Sequence, residues 1–303
     1  MRVLVTGAAG FLGRNVVAAL ASGSHDVRGL VRSRAQSDGV VAQRGTPVVG
    51  DLLDPVTLPG AVAGCDLVIH LAQSSSDSLE ERRAVRVGGV RNLIPAMGHA
   101  GVRRLLVGSG YWVYADNAGT ITEGSPLAPL SVSRINFDTE EAAREHARRG
   151  GLEVVVIRPG MVYGDGSWFR EMVTELRAGS YRYVAPGENY LSPIHEEDAG
   201  QAFRRVAEDW HAGETYLAVD DHPETTRGFA EFLAERLRSP EPREIPRTDA
   251  ETTWGTDLTR LNIASRAASN AKLRGLGWAP SFRSYRDGVP AVLAAMLGPE
   301  RSS

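Results

Sequence analysis

The sequence predicts an α/β fold, in which a doubly wound parallel sheet carries a smaller C-terminal lobe. In the first half of the chain, short apolar runs alternate with amphipathic stretches, as in strands joined by crossover helices. Several of these runs are continuously apolar, which is typical of strands buried on both faces. The glycine-rich stretch VTGAAGFLGR follows directly on the first apolar run.

The strands are predicted at 2–6, 26–31, 46–50, 66–70, 103–109 and 152–158. The main helices are predicted at 11–22, 77–99, 134–149, 196–209, 225–238 and 282–297. After about residue 165 the apolar runs shorten, while proline, glycine and aromatic residues become more frequent. The Pro-rich stretch 238–251 is interpreted as a loop.

Composition excludes several classes of function. The 303 residues carry 34 basic and 37 acidic side chains without a block of like charge, so we expect neither a nucleic-acid nor a membrane partner. The N-terminus lacks the features of a signal peptide, and no run approaches the ~18 apolar residues of a membrane span. We therefore expect a cytoplasmic protein. Cys65 stands alone and the seven histidines are scattered, so no metal site is predicted.

Three glycines near the N-terminus predict a dinucleotide site. Gly7, Gly10 and Gly13 follow a strand, and a helix opens at Phe11. Glycines permit the tight turn, and the helix N-terminus offers amides to a pyrophosphate. The alternative is a purely structural turn. Residues after the first, third and fourth strands should line the same site: Gly7, Gly10, Phe11, Leu12, Gly13, Asp51, Leu52, Leu71, Ala72 and Gln73.

The end of the second strand indicates which dinucleotide is bound. An NAD site usually has an acid here that holds the ribose hydroxyls. This chain has Arg32 and Arg34, whose guanidinium groups could pair with a 2′-phosphate. We therefore predict NADP (NADPH) rather than NAD. The alternative is two solvated surface arginines.

These features assign residues 1–165 to a Rossmann-like, NADP-binding domain. Residues 166–303 then form mainly a substrate-binding lobe. The segment at about 192–222 is expected to return to the first domain.

Motifs spread over nearly the whole chain resemble the extended short-chain dehydrogenase/reductase family, of the epimerase/dehydratase type. They are TGAAGFLG, GDLLD, HLAQ, GGVRNLI, RPGMVYGDG, SPIHEEDAGQAF and LGWAP. The resemblance implies a nicotinamide cofactor and a small carbonyl or hydroxyl substrate. It places Ser109, Pro159, Met161 and Val162 at the cofactor. The family often dimerises through two long helices, so a homodimer is one expectation.

The family's catalytic residues are missing. Its Ser or Thr hydrogen-bonds the substrate oxygen, its Tyr exchanges a proton there, and its Lys lowers the pKa of that Tyr and holds a ribose. Here the serine position is Gly110, and the position of a supporting Asn is Arg86. The only lysine, Lys272, has no tyrosine four residues before it.

The Tyr-x-x-x-Lys motif can be placed in two registers, because a glutamate should follow four residues after the lysine. Counting back from Glu140 gives Asn136 and Val132, whereas counting from the next residue gives Phe137 and Ser133. Neither register restores the motif.

Other residues could take over the chemistry. Tyr111 follows the fifth strand and could exchange a proton, with Arg134 or Arg86 as the nearby cation. The alternative for Tyr111 is an aromatic wall of the pocket. His195, at a helix start, could act as a neutral base, or it could simply fix its loop.

The substrate is expected to contact aromatic residues. Tyr111 and Trp112 are expected to bind it beside the fifth strand. Trp168 and Phe169 indicate a flat or apolar portion, and Arg170 could meet a phosphate or carboxylate. Asp165, Trp168, Phe169 and Arg170 could instead simply pack or face solvent.

Three functions remain open. The first is an atypical NADP-dependent oxidoreductase or epimerase, acting on a sugar or a secondary-metabolite intermediate. The second is a redox-neutral cyclase, dehydratase or isomerase that reuses the pocket. The third is a non-catalytic NADP-binding sensor or partner protein.

Overall fold

The computed structural model describes residues 1–298 and, at position 167, the backbone alone. The strands are β1 Arg2–Thr6, β2 Asp26–Val31, β3 Thr46–Val49, β4 Leu67–His70, β5 Arg104–Gly108, β6 Asn117–Ile121, β7 Glu153–Pro159, β8 Met161–Tyr163, β9 Arg182–Val184, β10 Tyr190–Leu191, β11 Pro193–His195, β12 Thr215–Ala218, β13 Glu224–Thr225, β14 Arg243–Ile245 and β15 Arg266–Ala268. The helices are α1 Phe11–Ser22, α2 Ser37–Ala42, α3 Leu58–Val62, α4 Leu79–Arg83, α5 Gly89–His99, α6 Ser131–Arg148, α7 Ser167–Arg177, α8 Glu196–Glu208, α9 Thr226–Leu237, α10 Arg247–Trp254, α11 Thr256–Ile263, α12 Ala271–Gly275 and α13 Tyr285–Leu297.

Seven parallel strands form the central sheet, in the order β12-β7-β5-β4-β1-β2-β3. The strand order reverses direction between β1 and β4, so the C-terminal ends of these strands border a crevice where α/β proteins bind ligands. This arrangement confirms the predicted doubly wound, Rossmann-like α/β fold. Strand β12, from the segment at 192–222, pairs with β7 in this sheet.

Helices cover both faces of the sheet. One core cluster packs β1, β4 and β7 against α1 and α8, and a second packs the opposite face against α3, α5 and α6. A third core, outside the sheet, joins α7, α9 and α13 around buried aromatic side chains such as Phe169 and Phe229. This third core belongs to the smaller C-terminal lobe.

Two regions differ from the predictions. The Pro-rich stretch 238–251 holds β14 and the start of α10, so its interpretation as a loop was wrong. Pro246 lies at the N-cap of α10, where its missing N–H costs nothing, and the helix begins after it. The predicted helix 77–99 is interrupted by a π-helical turn, Ala84–Gly88, between α4 and α5. Turns of this kind are frequent at functional sites.

Within residues 1–298, none of the helices combines the length and the apolar character that crossing a bilayer requires.

Candidate active site

A cleft of about 1030 Å³ runs along the C-terminal edge of the sheet and into the C-terminal lobe. We call the residues after β1 to β4 its cofactor end, since the glycine stretch is there. We call Gly110, Tyr111, Trp112, Val132 and Asn136 its reaction end, because all five line the cleft beside β5 and α6. Both ends belong to one continuous cavity.

The glycine turn at the cofactor end has no room for side chains. Gly7 has φ +70°, and a Cβ there would lie 2.8 Å from the backbone of Ala72. A Cβ on Gly13 would lie 1.9 Å from the Gly7 carbonyl oxygen. Helix α1 has no side-chain cap, so its first amides are free to bind a pyrophosphate. The residues present therefore fit a dinucleotide.

Apart from Arg34, the other residues that the sequence assigns to the cofactor also line the cleft. Leu12, Asp51, Leu71 and Gln73 line the cleft, and so do the other residues predicted there, Phe11, Leu52, Ala72, Ser109, Pro159, Met161 and Val162. One Asp51 carboxylate oxygen accepts a hydrogen bond of 2.9 Å from the Leu53 amide.

The two arginines after β2 differ in position. Arg32 lines the cleft, and its backbone N–H is held 3.0 Å from the Gln36 side-chain oxygen. Arg34 is exposed on a short 3₁₀ turn and does not line the cleft. Within residues 1–298, neither guanidinium has an ion-pair partner. Only Arg32 is placed to meet a ligand.

A buried network fixes the register of α6. Glu140 is 1% exposed, and its carboxylate accepts hydrogen bonds of 3.0 and 2.6 Å from Arg158 on β7. Ser109 donates a further hydrogen bond to Glu140. Glu141 is exposed instead. Glu140 is therefore the glutamate from which to count.

The missing catalytic positions lie close together. Counting back from Glu140 gives Asn136 and Val132, which both line the reaction end. A Cβ on Gly110 would lie 3.2 Å from the Asn136 side-chain nitrogen. Positions 110 and 136 are therefore neighbours, and position 132 lines the same end of the cleft, but none of the three carries a hydroxyl or a lysine.

Tyr111 lines the cleft but is completely buried. Its hydroxyl has no hydrogen-bond partner of good geometry among residues 1–298, although the Ser192 backbone lies near it. Burial raises the pKa of Tyr111 well above its usual range, in spite of the Arg266 cation nearby. The side chain thus stays protonated at neutral pH, and its ring packs 4.6 Å from that of Trp112.

The structure does not bring His195 or Arg134 into the cleft. His195 is buried, and its Nδ1 accepts a hydrogen bond from the Glu197 amide at the start of α8. Burial lowers the pKa of His195, so the ring is neutral and fixes its loop. Arg134 lies on the outer side of α6, 3.0 Å from Asp138, because the cleft side of that helix is formed by positions 132, 133, 135 and 136.

The cleft in the C-terminal lobe is rich in aromatic residues. Its ring-bearing wall is formed by Trp112, Trp168, Tyr181, Tyr190, Phe229 and Trp254. The Trp168 indole N–H donates to the Val162 carbonyl at 2.9 Å, so its polar edge is satisfied and its ring forms a wall. Arg170 does not line the cleft, because α7 turns residues 168, 171, 172 and 175 inward and leaves Arg170 paired with Asp165.

Sequence reasoning missed two features of the site. One is His70, whose Nε2 lies 3.0 Å from the Arg86 carbonyl and whose Nδ1 lies 2.9 Å from the Thr6 hydroxyl. The other is the position of Arg86 itself, buried on the π-helical turn. The motif spacing places Arg86 at the position of the supporting Asn, but it does not reveal the contacts of either residue.

Metal ligands do not cluster in the part of the chain that the structure describes, since nowhere do three or more His, Cys, Asp or Glu side chains meet in a suitable group.

Fold and cleft together define a Rossmann-like protein with a dinucleotide-type glycine turn. A sequence model of the NAD dependent epimerase/dehydratase family matches residues 3–218. The chain belongs to this family, which the motif resemblance had predicted.

Individual relatives include enzymes of several activities. The 3-diazoavenalumate denitrifying reductase of a Streptomyces species is 30% identical, over 95% of this chain and 99% of that protein. The 4-hydroxy-2-methyl-3-oxo-4-farnesyl-3,4-dihydroquinoline-1-oxide ketoreductase of Stigmatella aurantiaca is 28% identical, over 78% of this chain and 73% of that protein. Among solved structures, the dTDP-glucose 4,6-dehydratase of Streptomyces venezuelae, with NAD bound, is 26% identical with a TM-score of 0.82. That match covers 97% of this chain and 96% of the other.

Proposed function

We propose that this protein is an NADPH-dependent reductase of an aromatic, largely apolar substrate, and that it supplies no tyrosine proton to the reaction. The observation that carries the proposal is the reaction end: an aromatic-walled cleft continues from the dinucleotide turn, with Val132 and Asn136 where a proton-transfer couple would stand.

The missing couple favours reduction over epimerisation. Oxidising an alcohol requires a base that removes the hydroxyl proton as the hydride leaves. Reduction makes the opposite demand, because the oxygen gains negative charge and water can deliver the proton. Hydride transfer depends above all on positioning, which a closed aromatic wall provides.

The chain's own residues would then bind and orient. Bound NADPH would supply a hydride, which carries two electrons and one hydrogen nucleus. The α1 amides would hold the pyrophosphate, and Arg32 the 2′-phosphate. Trp112 and Trp168 would hold the substrate ring and exclude water from one of its faces. A proton from water completes the balance.

The relatives support this choice of substrate class. One of the two reductases above is named for a farnesylated dihydroquinoline, which combines a ring system with an apolar farnesyl chain. The other is named as a reductase that acts on 3-diazoavenalumate. Neither name is that of a nucleotide sugar.

Cofactor oxidation with a panel of substrates tests the proposal. NADPH should be oxidised in the presence of aromatic ketones, enones or diazo compounds. One molecule of reduced product should form for each NADPH oxidised. Failure to bind any nicotinamide dinucleotide would contradict the proposal. A product isobaric with its substrate, formed without NADPH oxidation, would instead establish a redox-neutral enzyme.

The aromatic wall is tested by Trp168→Ala, with Trp168→Phe as the matched variant. The alanine variant should raise KM about tenfold, from a lost ring contact of ~1–1.5 kcal/mol, and leave the NADPH Kd unchanged. The phenylalanine variant should lose much less. Trp210→Phe, at a tryptophan outside the cleft that bonds Glu153, is the control.

A further inference from the structure

Arg86 is a buried cation without a carboxylate partner. Its side chain is 4% exposed and lines the cleft on the π-helical turn. Within residues 1–298 its guanidinium makes a single hydrogen bond, from Nη2 to the Gly108 carbonyl. Its Nε is buried without any partner. A guanidinium has five N–H donors, so most of its capacity is unused.

The surroundings do not neutralise this charge. Glu140 is the carboxylate that acts on it, but Glu140 is already bonded to Arg158 and Ser109. Burial, together with the like charge of Arg82, lowers the pKa of Arg86 to about 10, which still leaves it charged at neutral pH. A buried charge with so few partners is unfavourable for folding alone. The unused donors of this buried guanidinium face the cleft, where a ligand could complete their hydrogen bonds.

The protein also fixes the residue in place. His70 is buried, and burial lowers its pKa to about 3, so it is neutral. The Arg86 carbonyl can only accept, so His70 donates to it from Nε2 and accepts from the Thr6 hydroxyl at Nδ1. His70 thus holds the Arg86 backbone, while the Gly108 carbonyl holds its guanidinium. The side chain is therefore positioned before any ligand binds.

The topology indicates which part of a ligand would reach Arg86. A pyrophosphate at α1 sends the adenine half of a dinucleotide toward β2 and β3, where Arg32 is. The other half must then cross the ends of β4 and β5. Arg86 lies there, bonded to the Gly108 carbonyl, and it lines the same cleft as Ser109 and Asn136.

We propose that Arg86 binds the ribose hydroxyls on the nicotinamide side of the cofactor, supplying from the π-helical turn the cation that α6 lacks. This inference rests on the proposed function. It makes Arg86 a cofactor-positioning residue, and it explains how a chain without a lysine in its cleft could still orient a nicotinamide.

Calorimetric titration with NADPH and with adenosine 2′,5′-bisphosphate, which represents the adenine half alone, tests the proposal. Arg86→Met should weaken NADPH binding about 10- to 100-fold, the loss expected for hydrogen bonds to a charged donor. It should leave the affinity for the adenine half unchanged. Arg32→Ala is the matched control with the opposite pattern, since it should weaken the binding of both ligands.

A rescue variant separates the proposed role from a structural one. Arg86→Asn should weaken NADPH binding as Arg86→Met does. Adding Asn136→Lys should restore most of the affinity, because the cation then comes from α6. Without ligand, Arg86→Met should melt no lower than the native protein, and NADPH should raise its Tm by less.

Three results would overturn the inference. Arg86→Met could keep full NADPH affinity and lose affinity for the reduction product, which would mean that the guanidinium binds the substrate and not the cofactor. It could lose both NADPH and the adenine half equally, which would mean a collapsed site. Finally, a native protein that binds no dinucleotide would remove the proposed function as well, and this is visible before any variant is made.

Discussion

The two ends of the cleft differ in how closely they keep the family pattern. At the cofactor end, the glycine turn, Asp51 and the residues after β4 stand where the motifs predict them. At the reaction end, glycine, valine and asparagine replace the catalytic hydroxyls and the lysine, although the backbone brings these positions together. The residues of the cofactor end thus suit a dinucleotide, whereas the motif positions of the reaction end carry no tyrosine–lysine couple. This contrast is why we infer a reaction that depends on positioned hydride rather than on an enzyme-bound acid.

The strongest test of the cofactor end is Gly13→Ala. The added Cβ would lie 1.9 Å from the Gly7 carbonyl oxygen, so the turn has to open. We expect NADPH binding to weaken by more than about 100-fold, because the N–H groups at the start of α1 would no longer point at the pyrophosphate. Gly60→Ala, where a Cβ would meet nothing within 4 Å, is the control. Native-like affinity in Gly13→Ala would show that the turn does not bind the cofactor.

The buried pair of Glu140 and Arg158, which fixes α6 beside the cleft, is tested by Glu140→Gln. This change leaves the buried Arg158 without its carboxylate, and the free energy of unfolding should fall by about 3–5 kcal/mol. Glu141→Gln, in an exposed pair 3.6 Å from Arg148, should cost less than about 1 kcal/mol. Urea denaturation measures both. Equal losses would refute the buried Glu140–Arg158 pair, which is our reason for counting from Glu140 rather than Glu141.

Cofactor choice is tested by Arg32→Ala. NADPH binding should weaken about tenfold, as expected for one lost charge-assisted contact, and NADH binding should not change. Arg34→Ala should affect neither, because Arg34 lies outside the cleft. If both dinucleotides lose affinity equally in Arg32→Ala, the phosphate role is excluded.

The smallest effect is expected from Tyr111→Phe. The Tyr111 hydroxyl is buried, has no well-aligned hydrogen-bond partner among residues 1–298, and is held protonated by its raised pKa. Turnover should therefore change by less than about twofold, and stability should fall little. Tyr114→Phe is the comparison, since it removes a hydroxyl that accepts from Arg158 at 2.7 Å. A tenfold loss of turnover in Tyr111→Phe, with folding intact, would indicate that Tyr111 donates a proton in the reaction.

The sequence predicted the parts of the molecule that depend on local pattern. Apolar runs located six of the seven strands of the central sheet to within a residue or two, and glycine spacing located the turn. Strand β12 was not predicted. The sequence could not place Arg134 or Arg170, because one residue along a helix rotates the side chain by about 100° and moves it out of the cleft. It missed the contacts of Arg86 and His70, because their partners, Gly108 and Thr6, are distant in the chain and meet them only through the parallel sheet.

The central claim is that nicotinamide chemistry proceeds here without a tyrosine–lysine couple. The most direct test uses NADPH deuterated at the transferred position, an aromatic carbonyl substrate and mass spectrometry of the product. We predict one deuterium on the product carbon for each NADPH oxidised, with equal yields from the native protein and Tyr111→Phe. A product without deuterium, formed while NADPH remains unoxidised, would contradict the account.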